Sequence, residues 1–127
     1  MKISEVEVRC CRRLPDAFDA GAFRTGDFSA FQFLAVTMKT DEGLSATTFG
    51  FAGRSAEGAG KLIADTLRPF MLGRDPRDRE RAWHEFRTAD RWWGHLPIYG
   101  YGPFDTLQWL LSAEAAGQPL YKSIGGY

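Results

Sequence analysis

The chain has 127 residues, 44% of them hydrophobic and 14% aromatic, and 16 basic residues balance 16 acidic ones. That length suits one domain, and the apolar content excludes intrinsic disorder, which needs low hydrophobicity and high net charge. A formal net charge of zero with no basic stripe argues against nucleic acid as a partner, and no stretch approaches the ~20 apolar residues of a membrane helix.

The N-terminal third reads as strands. From Ile3 to Cys11, Val6, Val8 and Cys10 alternate with Glu5, Glu7 and Arg9, the period of a half-buried strand. The segment 30–40 is apolar at both parities through Phe31, Phe33, Leu34, Ala35, Val36 and Met38, which predicts a central strand covered on both faces. Asp41-Glu42-Gly43 then separates it from a third β-rich run, Leu44 to Phe51. A short acidic turn closed by glycine between two such runs predicts a hairpin with Gly43 in the left-handed region. Between the first two strands, residues 14–29 carry Pro15, two glycines and no period; a loop of that length inside a compact domain is often functional.

The remainder reads as helices. Ala59, Leu62, Ile63, Thr66, Leu67 and Phe70 recur at helical spacing, with Ser55 placed as a cap and Pro69 marking the end. Asp75-Pro76 predicts a second helix start, Asp at the cap and Pro at the first helical position, with Trp83, Phe86 and Ala89 or Asp90 on one face. An aromatic, glycine-rich connection covers 92–102. Pro103 opens a third helix whose Phe104, Leu107, Trp109, Leu110, Leu111, Ala113, Ala115 and Ala116 leave little polar surface, so burial nearly all round is expected. Gly117 ends it and Pro119 prevents resumption. Strands first and helices second make an α+β domain: a three-stranded antiparallel sheet followed by about three helices. The strands fall within 2–51, the helices within 55–117 and a tail within 118–127.

Chemistry-bearing motifs are absent. His84 and His95 stand apart with no HExxH, paired CxxC or carboxylate loop around them, so no metal site is expected in this chain. No GxSxG elbow, SxxK or phosphate-binding glycine spacing occurs either. Asp75, Asp78 and Glu80 are explained as charge at a helix N-terminus, and no residue stands out as catalytic. The two cysteines, Cys10 and Cys11, are adjacent, a spacing that rarely reaches disulfide geometry. Unpaired thiols and the charged opening Met1-Lys2-Ile3-Ser4-Glu5, unlike a signal peptide, make the cytoplasm the expected compartment.

Several spaced motifs nonetheless share one order. They are Met1-Lys2-Ile3 with Val6-Glu7-Val8, Thr40-Asp41-Glu42-Gly43-Leu44, Leu72-Gly73-Arg74-Asp75-Pro76, Asp105 followed by Trp109, and the close Ala115-Ala116-Gly117-Gln118-Pro119-Leu120-Tyr121-Lys122-Ser123-Ile124-Gly125-Gly126. In this order they resemble the N-terminal capping domain of the mandelate racemase and muconate lactonizing enzyme branch of the enolase superfamily, along the whole chain. Three departures stand out. The family's hairpin continues with glycines where this chain has Ala46 and Thr48, its Trp-Asp pair becomes Trp109-Leu110, and a following basic residue becomes Glu114.

The resemblance implies an N-terminal-domain-like fold without its barrel, belonging to a racemase (isomerase) or acid-sugar dehydratase (lyase) that abstracts a proton α to a carboxylate with the help of magnesium. Bases and metal ligands would lie on a barrel domain, in the same or a separate chain, and magnesium is expected only with it. This chain would supply specificity for a small carboxylate substrate through two loops over the barrel mouth. These map to Pro15–Ser29, with Phe18, Phe23 and Arg24 as candidate substrate contacts, and to Phe49–Ser55, with Phe49 and Phe51. The alternative is a stand-alone, non-catalytic binding or dimerisation module; a third reading is an unrelated small α+β enzyme using His95. The apolar last helix and tail predict a homo-oligomer.

Overall fold

In a computed structural model the described residues are 1–13, 31–53, 56–89, 91 and 100–127. Three strands, β1 (Ile3–Arg13), β2 (Phe31–Thr40) and β3 (Ser45–Gly53), form an antiparallel sheet in the order β1-β2-β3. Among the described residues four helices follow: α1 (Ala56–Met71), α2 (Arg79–Ala89), α3 (Gly102–Ala115) and the short α4 (Leu120–Ser123). The tail, residues 118–127, contains one helical turn.

The hairpin forms as the local chemistry dictates. Gly43 has φ 88, a region that costs an L side chain about 1–2 kcal/mol. Thr40 clamps the turn: its N–H donates to the Leu44 carbonyl at 2.9 Å, its carbonyl accepts from Gly43 at 3.1 Å, and its hydroxyl accepts from Leu44 at 3.1 Å.

The sheet has one fully covered face. Leu34, Val36, Met38 and Thr40 of β2 are buried with Val6 of β1 against Ile63, Leu67, Met71, Phe86, Tyr101, Phe104, Leu107 and Leu111. The other parity, Phe33, Ala35 and Thr37, is half-buried and Lys39 is exposed. This corrects the expectation of a strand covered on both faces. On that second face the Thr37 and Thr47 hydroxyls share a hydrogen bond of 2.8 Å, and Lys39 pairs with Glu5 at 3.0 Å.

Helix α1 turns a different stripe inward from the one predicted. Ala56, Gly60, Ile63, Leu67 and Met71 are buried, whereas Leu62 is 46% exposed. Gly60 explains the rotation, because a Cβ there would stand 2.8 Å from Leu34 Cδ2, so the helix rests its glycine on the sheet. Pro69 does not end α1; it lies inside the helix, on its exposed side, and the helix runs on to Met71.

Helix α2 starts at Arg79 rather than at Pro76. Residues 76 and 77 form a turn in which the Asp75 carboxylate accepts the Arg77 N–H at 2.9 Å and the Arg77 guanidinium at 2.6 Å. Helix α3 is less enclosed than predicted. Phe104, Leu107 and Leu111 are fully buried, Trp109 and Leu110 are half-buried, and Ala115 and Ala116 are exposed. Gly117, φ 64, closes it, its N–H donating to the Glu114 carbonyl at 2.9 Å.

Candidate functional site

The meander topology decides where the two predicted loops leave the fold. Arg13 at the end of β1 is paired with Phe31 at the start of β2, and Gln32 is paired with Gly53 at the end of β3. The chain therefore enters residues 14–30, and leaves β3 toward α1, from the same end of the sheet.

At that rim the sheet's second face is aromatic. Phe49 is 70% exposed, and its ring meets the half-buried Phe33 edge-on, with centroids 5.5 Å apart and planes at 72°, a favoured aromatic geometry. Phe33 was not singled out from sequence, because an apolar run at both parities reads as core throughout. Gln32 was missed as well: its Oε1 accepts the Glu57 N–H at 3.3 Å in the first turn of α1, an orphan donor of the helix start. Phe51 lies in β3, its side chain outside the described residues, as are Phe18, Phe23, Arg24, Ser55 and His95.

Elsewhere the polar clusters are structural. The Arg79 guanidinium lies 3.5 Å above the Trp109 ring, 2.8 Å from a Glu80 oxygen and 3.4 Å from Asp105, pinning α2 to α3. Burial pushes the Tyr101 hydroxyl up to about 12; it accepts from Gln108 Nε2 at 3.5 Å, and its ring stacks on Phe86 at 4.4 Å. Desolvation, then the Glu57 charge, hold the Cys10 thiol above its ordinary value, the reverse of what an activated thiolate needs. Both cysteines are unpaired. His84 is exposed. Among the described residues no three His, Cys, Asp or Glu side chains group as metal ligands, so the residues described do not fit a magnesium site. No helix among them is long and apolar enough to cross a membrane.

No protein-family profile matches the chain. Among curated proteins, it is 30% identical over 99 residues to the D-galactonate dehydratase family member RspA of Halomonas elongata, covering 74% of this chain and 24% of that protein. It is 28% identical over 95 residues to a D-mannonate dehydratase of Rhizorhabdus wittichii, with the same coverage of 74% and 24%. In three dimensions it superposes on a member of the enolase superfamily from Polaromonas sp. JS666 with a TM-score of 0.83 over 100% of this chain and 34% of the other, at 22% identity. By sequence the chain resembles these dehydratase family members, and by fold it resembles members of the enolase superfamily. A second solved relative, the L-talarate/galactarate dehydratase of Salmonella typhimurium LT2, gives a TM-score of 0.76 over 98% of this chain and 33% of that one, at 22% identity. The fold is that of the superfamily's N-terminal capping domain, and the chain spans about a quarter of the length of the curated relatives it matches.

Proposed function

We propose that this chain is the substrate-capping part of a mandelate racemase or muconate lactonizing type of enzyme, acting with a barrel that carries the bases and the magnesium ligands. The observation that carries the reading is coverage: the whole chain matches about a third of a solved enolase-superfamily protein. Relatives bearing D-galactonate and D-mannonate dehydratase names favour acid-sugar dehydration, in which a proton α to a carboxylate is removed. Magnesium, supplied with the barrel, would steady the resulting enediolate.

The chain's own task would be orientation and exclusion of water. Phe49 and Phe51 lie in β3 and not on the loop expected over Phe49–Ser55; the segment that holds Phe18, Phe23 and Arg24 begins after Arg13, at the end of the sheet where β3 also ends, so all five are candidates for one mouth. Arg24 is the candidate partner for a substrate's distal polar or anionic group, and the phenylalanines are candidate water-excluding walls. Two unpaired thiols suit a reducing cytoplasm.

The test uses the barrel portion of the Halomonas elongata relative, produced without the region this chain matches. It is assayed for dehydration of D-galactonate and D-mannonate with and without this chain. Stimulation by the chain, with KM raised by Arg24→Ala or Phe49→Ala, is the expected result. An unchanged rate on both substrates overturns the reading.

A further inference from the structure

Strand β3 carries one residue more than its neighbour. Ala35 is paired with Phe49 and Phe33 with Ala52, so Gly50 and Phe51 together stand opposite the single residue Leu34. The pairing of β2 with β1 runs unbroken past the same point, through Arg9 with Ala35, Cys10 with Leu34 and Cys11 with Phe33. The extra residue therefore belongs to β3, as a bulge, which bends its strand and re-aims the side chains beside it. Continued without the bulge, the register of residues 45–49 would set Phe51 opposite Phe33; with it, Ala52 takes that place. The edge-on contact of Phe33 with Phe49, centroids 5.5 Å apart, thus lies directly beside the bulge. It stands at the end of the sheet where residues 14–30 begin and β3 ends.

What holds the bulge comes from outside the sheet. A Cβ on Gly50 would stand 2.5 Å from Pro103 Cγ and 3.4 Å from Pro103 Cβ, so β3 rests its backbone on the proline ring at a distance that only glycine permits. The ring has no way to retreat. Pyrrolidine fixes its φ, it is buried in the first turn of α3, and its neighbours Tyr101 and Phe104 are buried too. Tyr101 stacks on Phe86 of α2 at 4.4 Å, and its carbonyl accepts the N–H groups of Phe104 at 2.9 Å and Asp105 at 3.2 Å. Glycine and proline offer a substrate no side-chain group to bind, so any effect of this pair on chemistry passes through geometry.

We propose that Gly50 and Pro103 are positioning residues of the substrate mouth: the proline wedge fixes the β3 bulge, and the bulge fixes where the Phe49 ring stands against Phe33. The assignment rests on the capping role proposed above, which makes Phe49 a wall of that mouth. It ties specificity to a helix that supplies no candidate contact of its own.

Four chains test it: the parent, Gly50→Ala, Pro103→Ala and the two combined. Gly50→Ala makes a clash and Pro103→Ala a gap. Together they remove the atom at 2.5 Å and keep the contact at 3.4 Å. Gly73→Ala controls for lost stability alone, since Gly73 binds Ile3 at the other end of the sheet. Nuclear Overhauser contacts of the 127-residue chain read the Phe33–Ala52 register and the Phe33–Phe49 rings. Dehydration of D-galactonate and D-mannonate by the relative's barrel portion, with this chain in saturating excess, reads KM and kcat at a temperature where circular dichroism shows the chains folded. Gly50→Ala should shift both contacts and raise KM about tenfold, with kcat held. Pro103→Ala, which adds no atom and should fold even if Gly50→Ala does not, should raise KM in the same direction. The combined variant should recover contacts and KM, and Gly73→Ala should leave both as in the parent. An unmoved KM in either single variant overturns the proposal while the capping role stands. So does an equal rise in Gly73→Ala, or a combined variant that recovers nothing. A parent chain that leaves the barrel's rate unchanged instead overturns the capping role, and this assignment with it.

Discussion

Asp75 holds its turn through Arg77. Its carboxylate accepts the Arg77 backbone N–H and two guanidinium nitrogens at 2.9, 2.9 and 2.6 Å, and these contacts, the side-chain hydrogen bond first, lower its pKa to about 2. A group whose pKa is depressed by folding stabilises the native state above its unfolded pKa, and that contribution disappears as pH falls through the folded one. Asp75→Asn should therefore cost about 1 kcal/mol at neutral pH, and the gap between variant and parent should close between about pH 4 and pH 2 in urea titrations. The same residue shows why this boundary was misread. Asp followed by Pro is a helix-start signature, and the Asp75 carboxylate does accept the Arg77 N–H as a cap would, but it closes an isolated turn and the helix begins only at Arg79. Gly50 makes a complementary case, since nothing in the sequence says that a helix passes over it. A Cβ at Gly50 would stand 2.5 Å from Pro103 Cγ, and the rigid ring cannot swing aside. Gly50→Ala should lower stability by about 1–3 kcal/mol, read as a shift of the denaturation midpoint.

At the scale of elements, local signals were legible and packing was not. Thr40 to Leu44 announces its hairpin, and Gly117 its helix end, because turn chemistry lies within a few residues. Which face of a helix is buried depends on what lies opposite: Gly60 lies against Leu34 of the sheet and Ala56 is buried, while Leu62, a larger hydrophobe, faces outward. Helix α3 gave the costliest ambiguity, for Leu110 and Leu111 look equivalent in sequence. Leu111 is fully buried, whereas Leu110 is half-buried beside the start of β3. Leu111→Glu should place a carboxylate in the core and unfold the domain, a loss of about 4 kcal/mol or more, visible as lost far-UV circular dichroism. Leu110→Asp should leave that signal intact. As for the candidate site, the sequence reading put Phe49 at the start of a loop, whereas it lies in β3, and it hid Phe33, whose partial exposure is a property of the open second face of the sheet.

For the whole molecule, the order strands then helices was enough for an α+β architecture, and motif order was enough for the resemblance to the superfamily's fold. What could not be read was how distant segments are tied together. Ile3 donates to the Arg74 carbonyl and accepts from the Gly73 N–H, both at 2.8 Å, while Lys2 donates to the Asp41 carboxylate at 2.7 Å and accepts from the Asp41 N–H at 2.9 Å. This clasp closes one of the longest loops in the fold, and closing long loops is slow and comes late relative to local pairing. The hairpin at Gly43 can form early, whereas β1 cannot lock until α1 and the turn at Gly73 exist. Gly73, with φ 80 and open space around its missing Cβ, lets that timing be measured. Gly73→Ala should cost about 1–2 kcal/mol, appearing in stopped-flow chevrons almost wholly as faster unfolding, with the refolding limb unchanged. On a ribosome, the first strand to emerge would then be among the last to be secured, waiting for some seventy residues of nascent chain to supply its lock.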